Sequence, residues 1–489
     1  MKTDECRGLA ARSALAVSPR CFRQIRLVAA AACACCLLPL SHPRSLPAQE
    51  PSGPAVAAAL ENLLVDAIAR SEKSVVAIAR VDNDDAAQGQ LKAIIPSDPS
   101  YVPDGYGTGV IVGRDGLILT YYHVLGLKSR HFVTTCERKT YPAHIKAADP
   151  RSDLAVLEIE ASNLSPIPLG DAATVKKGQI VVALGNPYAI ASDGQASASW
   201  GIVSNLGRKV GPRGDDEAAA RDDHLYHHGS LIQTDAKLNL GTSGGALLNL
   251  KGEMIGLTTS LAATPGYEQA AGYAMPVDDM FRRVVDTLKE GREVEYGYLG
   301  VLPENVEGAR GARIEHVESG SPAERSGVKK DDVVTQINGQ PIFDKDGLML
   351  QVGRLPVEAT VQLTVLRNGE KLPIRVELSK FPVRGTKVVT RQAPSWRGLR
   401  VDYASALPPR PFMQPDPDGC VVVTEIEPGS PAADGQLQVG MYINRVDSVQ
   451  VRTPREFRAA VANKTGDVSL RLWTLVDPPE TRTVKPKAG

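Results

Sequence analysis

Between Ser74 and about Pro276 the apolar residues come in short runs broken by turns: "VVAIARV", "GTGVIVGRDGLILTYY", "DLAVLEIE", "GQIVVALGNP", "ASWGIVSNLG" and "GALLNLKGEMIGLTT". Their β-branched content and regular turn spacing predict an all-β barrel or sandwich. Two long polar stretches interrupt the series, "DNDDAAQGQLKAIIPSDPSYVPDGY" before Gly107 and "RKVGPRGDDEAAARDDHLYHHG" before Ser230. Loops longer than about 15 residues inside a compact domain are usually functional or disordered. The period then changes. In "VDDMFRRVVDTLKEG" the residues Val277, Met280, Phe281, Val284, Val285 and Leu288 fall on one helical face and Gly291 supplies a stop, so a helix is expected to close the β-domain.

Further on the pattern repeats itself in diverged form. "ESGSPAERSGVKKDDVVTQINGQPI" from Glu318 matches "EPGSPAADGQLQVGMYINRVDSVQV" from Glu427, each with Gly-Ser-Pro-Ala opening a short helix ahead of an apolar strand. The first copy continues into "VQLTVLRNGEKLPIRVEL", which turns at Asn368-Gly369, a strong hairpin signal. In the second, Thr453, Pro454 and Glu456 form a capping box with proline at the first helical position, ahead of "VSLRLWTL". Two small α+β modules are therefore expected after the β-domain, with "VRGTKVVTRQAPS" as the linker between them.

A chain of 489 residues, 43% apolar, fits about three such units. Lysine plus arginine equals aspartate plus glutamate, 56 of each, so charge gives no footprint for nucleic acid. Cysteines crowd the start: Cys6, Cys21, Cys33, Cys35 and Cys36, against only Cys136 and Cys420 later. Neither a disulfide framework nor zinc-ligand spacing appears. The early group overlaps an apolar run from Leu27 to Leu40 behind Arg23 and Arg26, which is the anatomy of a signal peptide. The run is shorter than the roughly 20 residues of a membrane span. Cleavage after Ala48 would leave Leu46 where a small residue is preferred, and an uncleaved anchor or a lipid-anchored Cys33 are the alternatives.

The chemistry centres on "GTSGG", residues 241 to 245. A hydroxyl is a poor nucleophile at neutral pH unless a base takes its proton and a third group fixes that base. His123 closes the strand "GLILTYYHV", and Asp153 opens "DLAVLEI", where a carboxylate can hold an imidazole in one tautomer and stabilise its cation. The order His, Asp, Ser is that of chymotrypsin-type barrels. The glycines then have a purpose: backbone N–H groups of Gly241 and Ser243 can meet the developing oxyanion without side-chain obstruction. Alone, such a glycine run is most often a tight turn; the conjunction of the three residue types in a workable order is what points to catalysis.

"GTGVIVGRDGLILTYYHV", "DPRSDLAVLEI", "GNPY", "GIVSNLGR" and "IQTDAKLNLGTSGGALLNLKGEMIGL" closely resemble the blocks of the HtrA/Deg-type (DegP-like) serine proteases, and the two repeats resemble PDZ domains. The resemblance covers about residues 60 to 476. It implies an all-β chymotrypsin-like double-barrel protease domain over 60–291 and two small α+β PDZ domains, 295–382 and 396–476, joined by a linker at 383–395, behind a signal peptide or N-terminal anchor at 1–48. It assigns His123 as general base, Asp153 as orienting acid, Ser243 as nucleophile, and the Gly241 and Ser243 amides as oxyanion donors. "YGYLGV" is similar to a PDZ carboxylate-binding loop, which carries peptide binding onto Tyr298, Leu299, Gly300 and Val301; the plainer reading is that Leu299 and Val301 fill a small core. In the second module "WRGLRV" puts an arginine in place of the permissive glycine when the leucines are aligned.

On this resemblance the chain is an exported, periplasmic or envelope, ATP-independent serine endopeptidase of protein quality control. It would use no cofactor, cut unfolded or damaged proteins, and assemble as a homotrimer or larger cage. A protease-derived scaffold with little turnover, binding C-termini through its first PDZ domain, is the competing reading. The sequence departs from the family's usual asparagine and proline at Thr242 and Leu240, and from its asparagine at Tyr121, changes expected to adjust loop rigidity or pocket shape. Lys237, six positions before Ser243, does not support trypsin-like specificity, and a pocket wall is expected from "LTTSLAATPGYEQAAGYAMP". His224, His227 and His228 read better as a solvated loop than as a metal site.

Overall fold

Most of the apolar runs do become strands, and pairing them yields two closed barrels. The computed structural model describes residues 53–82, 105–126, 129–186, 194–209, 225, 229–259, 272–382, 387–407, 415–474 and 480–486. The expected leader, the three insertion histidines and most of the expected pocket wall lie outside them. Val56–Gly489 forms one compact unit, separate from Met1–Ala55, and the architecture below is that of the former.

Helix α1 (Gly53–Ser71) leads into β1 (Val75–Asp82). Then come β2 (Gly105–Ile111), β3 (Leu117–Tyr121), the single turn α2 (Tyr122–Leu125), β4 (Ser129–Thr134), β5 (Thr140–Asp149) and β6 (Leu154–Ile159). They pair in the order β5-β4-β1-β2-β3-β6, and β5 returns onto β6 to close the ring. Strand β3 is buried throughout, because one face fills this barrel and the other meets the next. The second barrel comprises β7 (Ile180–Gly185), β8 (Ser197–Arg208), β9 (Leu231–Thr234), β10 (Ala246–Leu248), β11 (Met254–Thr259) and β12 (Gly272–Pro276), closed in the order β10-β11-β12-β9-β8-β7.

Helix α3 (Asp279–Lys289) is capped by the Asp278 carboxylate, which accepts from the Phe281 N–H, and buries Phe281, Val284, Val285 and Leu288. Gly291, at φ 73°, ends it. The protease core does not stop there: Val294 and Tyr296 belong to it, so the domain runs past the boundary of 291 expected from the sequence.

The first α+β module contains β13 (Gly297–Tyr298), β14 (Val301–Asn305), β15 (Ala312–Val317), α4 (Pro322–Arg325), β16 (Val333–Ile337), β17 (Gln340–Pro341), α5 (Lys345–Gly353), β18 (Thr360–Arg367), β19 (Glu370–Glu377) and β20 (Ser379–Lys380). The β18–β19 hairpin turns at Asn368 (φ 51°) and Gly369 (φ 85°), as the sequence predicted. Strand β14 stands at the edge of its sheet with α5 beside it.

The segment read as a linker carries β21 (Val388–Val389), which joins the first barrel by pairing with Ala147 and Ala148 of β5. The second module follows with β22 (Leu399–Tyr403), β23 (Val421–Ile426), α6 (Pro431–Asp434), β24 (Tyr442–Val446), β25 (Val449–Gln450), α7 (Pro454–Val461), β26 (Val468–Trp473) and β27 (Thr481–Val484). Since β27 pairs with β26, this module extends beyond the expected end at 476.

Candidate active site

His123 sits on α2, immediately after the buried strand β3. Its Nδ1 lies 2.6 Å from Asp153 Oδ2, and its main-chain N–H donates to Asp153 Oδ1 at 2.9 Å. The imidazole is half exposed, whereas the Asp153 side chain is buried. A carboxylate removed from water beside an imidazole selects the tautomer with hydrogen on Nδ1 and leaves Nε2 to exchange a proton. Asp153 itself closes a turn at φ 57°, a left-handed conformation that aspartate tolerates better than most residues. Its carbonyl accepts from the Tyr122 N–H at 2.8 Å, fastening the turn to the helix that bears His123.

Ser243 is buried on the loop between β9 and β10. The loop is hydrogen-bonded to the first barrel's strand β2. The Thr108 N–H donates to the Ser243 carbonyl at 2.9 Å, and the Thr108 hydroxyl donates to the Gly241 carbonyl at 2.7 Å while accepting from the Asn186 N–H at 2.8 Å. Next to it, a Cβ on Gly107 would meet Val124 Cγ1 at 2.5 Å and the Ser243 carbonyl at 3.4 Å. The histidine and serine segments therefore both lie against one glycine, and a side chain there would have to displace Val124 beside His123.

Within the loop, the Gly244 N–H donates to the Thr258 carbonyl, the Gly245 N–H to Thr242, and the Thr242 N–H and hydroxyl both to Asn239. Gly241 has φ 93°, and a Cβ there would lie 2.6 Å from the Asn186 carbonyl and 2.8 Å from the Tyr106 ring. A side chain is thus excluded at the position expected to donate to an oxyanion. Thr242, the departure from asparagine, ties the loop locally to Asn239. Leu240 faces solvent.

Tyr121, the other departure, was not singled out by sequence as a site residue. It is buried, its ring stacks on His123 with centroids 5.2 Å apart, and its hydroxyl donates to the Leu257 carbonyl of the second barrel at 2.9 Å. It backs the imidazole and links the barrels. Thr108 and Asn186 were missed as well; a threonine in an apolar strand carries no sequence signal for a role across the cleft.

The turn before Asp153 is buried and polar. Asp149 Oδ2 accepts from the Ser152 N–H at 3.0 Å, from the Ser152 hydroxyl and from the Tyr296 hydroxyl. Burial pushes the Asp149 carboxyl above the usual carboxylate range, against the pull of those hydrogen bonds and of Arg151. Burial, and then the adjoining Asp149 charge, push the Tyr296 phenol well above its ordinary value, so it remains a donor.

In the first module Gly300, at φ 79°, passes so close to Ser321 that a Cβ would lie 2.2 Å from that side chain's Cβ. The carbonyls of Leu299 and Gly300 accept from Ala323 and Glu318. The Leu299 side chain is buried in the module core with Val301 packed against it, and the Tyr298 hydroxyl donates to Glu318. A small cavity of about 20 Å³ opens between this loop and α5, walled also by Arg151 and Phe381.

The second module corrects one expectation. Gly398, at φ 79°, crowds Ser430, and its carbonyl accepts from Glu427, the relations Gly300 has with Ser321 and Glu318. The permissive glycine is therefore retained as Gly398. Arg400, the arginine that a leucine-to-leucine match sets at the glycine position, lies instead on β22, and a different arginine, Arg397, takes the place of the core Leu299, its guanidinium tied to the carbonyls of Val484, Lys464 and Gly466. Aligning the leucines shifted the register, because Leu399 corresponds to Val301.

Among the described residues there is no group of three or more His, Cys, Asp or Glu side chains arranged to hold a metal ion.

Known proteins share this architecture. Residues 107–257 match the trypsin-like peptidase domain and residues 297–378 the PDZ domain. The chain is 30% identical over 372 residues to a probable periplasmic serine endoprotease DegP-like of Chlamydia muridarum, covering 74% of this chain and 70% of that protein. It is likewise 30% identical to the periplasmic serine endoprotease DegP of Escherichia coli K12, covering 75% and 74%. The solved HtrA-type protease AlgW with tripeptide superposes with a TM-score of 0.51 at 26% identity, covering 65% of this chain and 98% of its own. A trypsin-like peptidase built of two barrels, continued by PDZ modules and sharing this kinship along most of its length, belongs to the HtrA/DegP family of serine endoproteases.

Proposed function

We propose that the chain is an exported, ATP-independent endopeptidase that cuts unfolded or damaged polypeptides, with His123 as general base, Asp153 as the residue orienting it, and Ser243 as nucleophile. The observation that carries this reading is the double hold of Asp153 on His123, through the ring and through the main chain, on a segment that shares the Gly107 contact with Ser243. Ser243 Oγ attacks the scissile carbonyl as His123 Nε2 takes its proton. The Gly241 and Ser243 amides stabilise the oxyanion. The imidazolium then protonates the departing amine, and a water deprotonated by the same imidazole releases the acyl group.

Peptide C-termini are assigned to the first PDZ module, on the backbone of Tyr298, Leu299, Gly300 and Val301. The edge strand β14 beside α5 supports this, since an extended peptide can add there as a further strand. The periplasmic location rests on the names of the relatives, and a homotrimer or larger assembly on the family resemblance.

The test is cleavage of unfolded casein together with labelling by a serine-reactive phosphonate. The parent is expected to do both and Ser243→Ala neither; labelling that persists in the variant removes Ser243 as nucleophile.

A further inference from the structure

Asp153 must hold a left-handed backbone conformation (φ 57°) while presenting both carboxylate oxygens to His123. Aspartate reaches this region in a turn at modest cost, and its neighbours must hold the turn there. Its own N–H makes a long bond, 3.2 Å, to the Pro150 carbonyl. The stronger clamp lies one residue back. Ser152, fully buried, gives its N–H and its hydroxyl to a single oxygen of Asp149, and the Tyr296 hydroxyl converges on that same oxygen.

Tyr296 lies beyond α3, at the root of the first PDZ module, yet its ring is part of the protease core. Arg151 and Arg283 both lie near the ring, 5.3 and 5.6 Å from its centroid, and its carbonyl accepts from Phe381 at 2.8 Å. The phenol is therefore fixed before it reaches the turn.

We propose that Tyr296 and Asp149 are positioning residues for proteolysis: Tyr296 donates to Asp149, Asp149 holds Ser152, and Ser152 sets the turn that aims Asp153 at His123. The inference rests on the triad reading above. Three donors on one buried carboxylate oxygen hold the turn, each hydrogen bond to such a charged group contributing about 1.5 to 3 kcal/mol, so losing one of them loosens it. A shift of about 1 Å in a catalytic group can cost about 100-fold in rate. The protease site is then incomplete without a residue that the chain supplies only as it enters the PDZ module.

The test uses the full chain and two variants that keep the core filled, Tyr296→Phe and Ser152→Ala. Each is measured per active site, titrated with a serine-reactive phosphonate, on fluorogenic casein. The expected result is a loss of at least about tenfold in kcat and in the phosphonate labelling rate, with KM unchanged. If Tyr296→Phe fails to fold, Ser152→Ala decides alone. Parental kcat per titrated site, or a loss confined to KM or to the fraction of titratable protein, overturns the positioning role. Ser243→Ala in the same series separates the two layers: labelling that persists there overturns the triad, whereas parental kinetics in the two variants with a silent Ser243→Ala overturn the positioning role of Tyr296 and Asp149 and leave the triad standing.

Discussion

His123 is gripped twice by Asp153, ring nitrogen to one carboxylate oxygen at 2.6 Å and main-chain N–H to the other at 2.9 Å. An asparagine keeps the shape but offers one acceptor and one donor, so one of the two contacts must set an N–H against an N–H or force the imidazole into the other tautomer. Asp153→Asn is therefore expected to fold and to lose about 10⁴-fold in kcat at neutral pH, the scale seen when such a carboxylate is neutralised in a serine triad. Casein turnover with a matched thermal midpoint checks it; a loss below about tenfold would show that orientation of the imidazole does not depend on this carboxylate.

Gly241 supplies the second prediction. At φ 93°, with the Asn186 carbonyl 2.6 Å and the Tyr106 ring 2.8 Å from where a Cβ would stand, alanine must turn the peptide and carry its N–H away. Removing one oxyanion donor costs about 10² to 10³ in kcat. Gly241→Ala should show that loss with KM nearly constant, because the donor acts on the transition state. Single-turnover acylation kinetics are the direct measurement.

The candidate residues stand out in the sequence because His123 and Asp153 adjoin strongly patterned strands and Gly241 belongs to a glycine-rich run, where chain order and residue type are local information. What it could not carry was anything set by packing across the cleft. Thr108 reads as one more strand residue, yet it holds both the Gly241 carbonyl and the Asn186 N–H. Strands β4 and β5, "SRHFVT" and "TYPAHIKAAD", have mixed exposure along their length, so neither alternation nor an apolar run marked them. Strand β21 is only two residues long, and its partner is more than 200 positions away in sequence. The placing of Arg400 at the glycine position had the same origin: leucine is matched to leucine, whereas the fold keeps the positive-φ glycine, Gly398, and lets the side chain before it change.

Lys380 provides a test with pH. It is buried on β20 and pairs with Asp402 at 2.7 Å, Glu293 at 3.0 Å and Glu295 at 3.1 Å, so one ammonium ties the first module to the second and to the segment after α3. Burial opposes that charge, but Asp402, Glu293 and Glu295 raise it above the ordinary lysine value. Burial likewise opposes the Asp402 anion, and Lys380 and then Lys387 overcome it and hold the carboxyl below the usual range. A depressed carboxylate contributes stability above its unfolded value, about 3.9, that disappears as pH falls through the folded one. A raised lysine contributes it below about 10.4 and loses it as pH rises through its folded value. Lys380→Met leaves the buried Asp402 carboxylate with Lys387 alone, at 3.2 Å, and should cost about 2 kcal/mol at pH 7, less than the loss of every partner. The gap in thermal midpoint between parent and variant should be flat from about pH 5 to 9 and shrink below about pH 4; a gap that persists at pH 3 would assign Lys380 a packing role only.

The stretch expected to be a plain linker is instead fastened to the first barrel. Beyond the point where β4 ends, the edge of β5 at Ala147 and Ala148 is covered by Val388 and Val389. Thr390 continues the contact, giving both its N–H and its hydroxyl to the Lys146 carbonyl, and the Arg391 N–H donates to Gly291. This edge leads directly into the Asp149–Asp153 turn. Thr390→Pro deletes both bonds to Lys146, each worth about 1 kcal/mol net, while leaving Val389 in the extended backbone that precedes a proline readily. Local opening should become about tenfold easier or more, seen as faster amide exchange at Val388, Val389 and Arg391 and earlier proteolytic nicking there. The barrels' global unfolding should stay close to parental, because the exposed threonine contributes nothing to their cores. Unchanged exchange at these three amides would mean that Val388 and Val389 alone secure the strand.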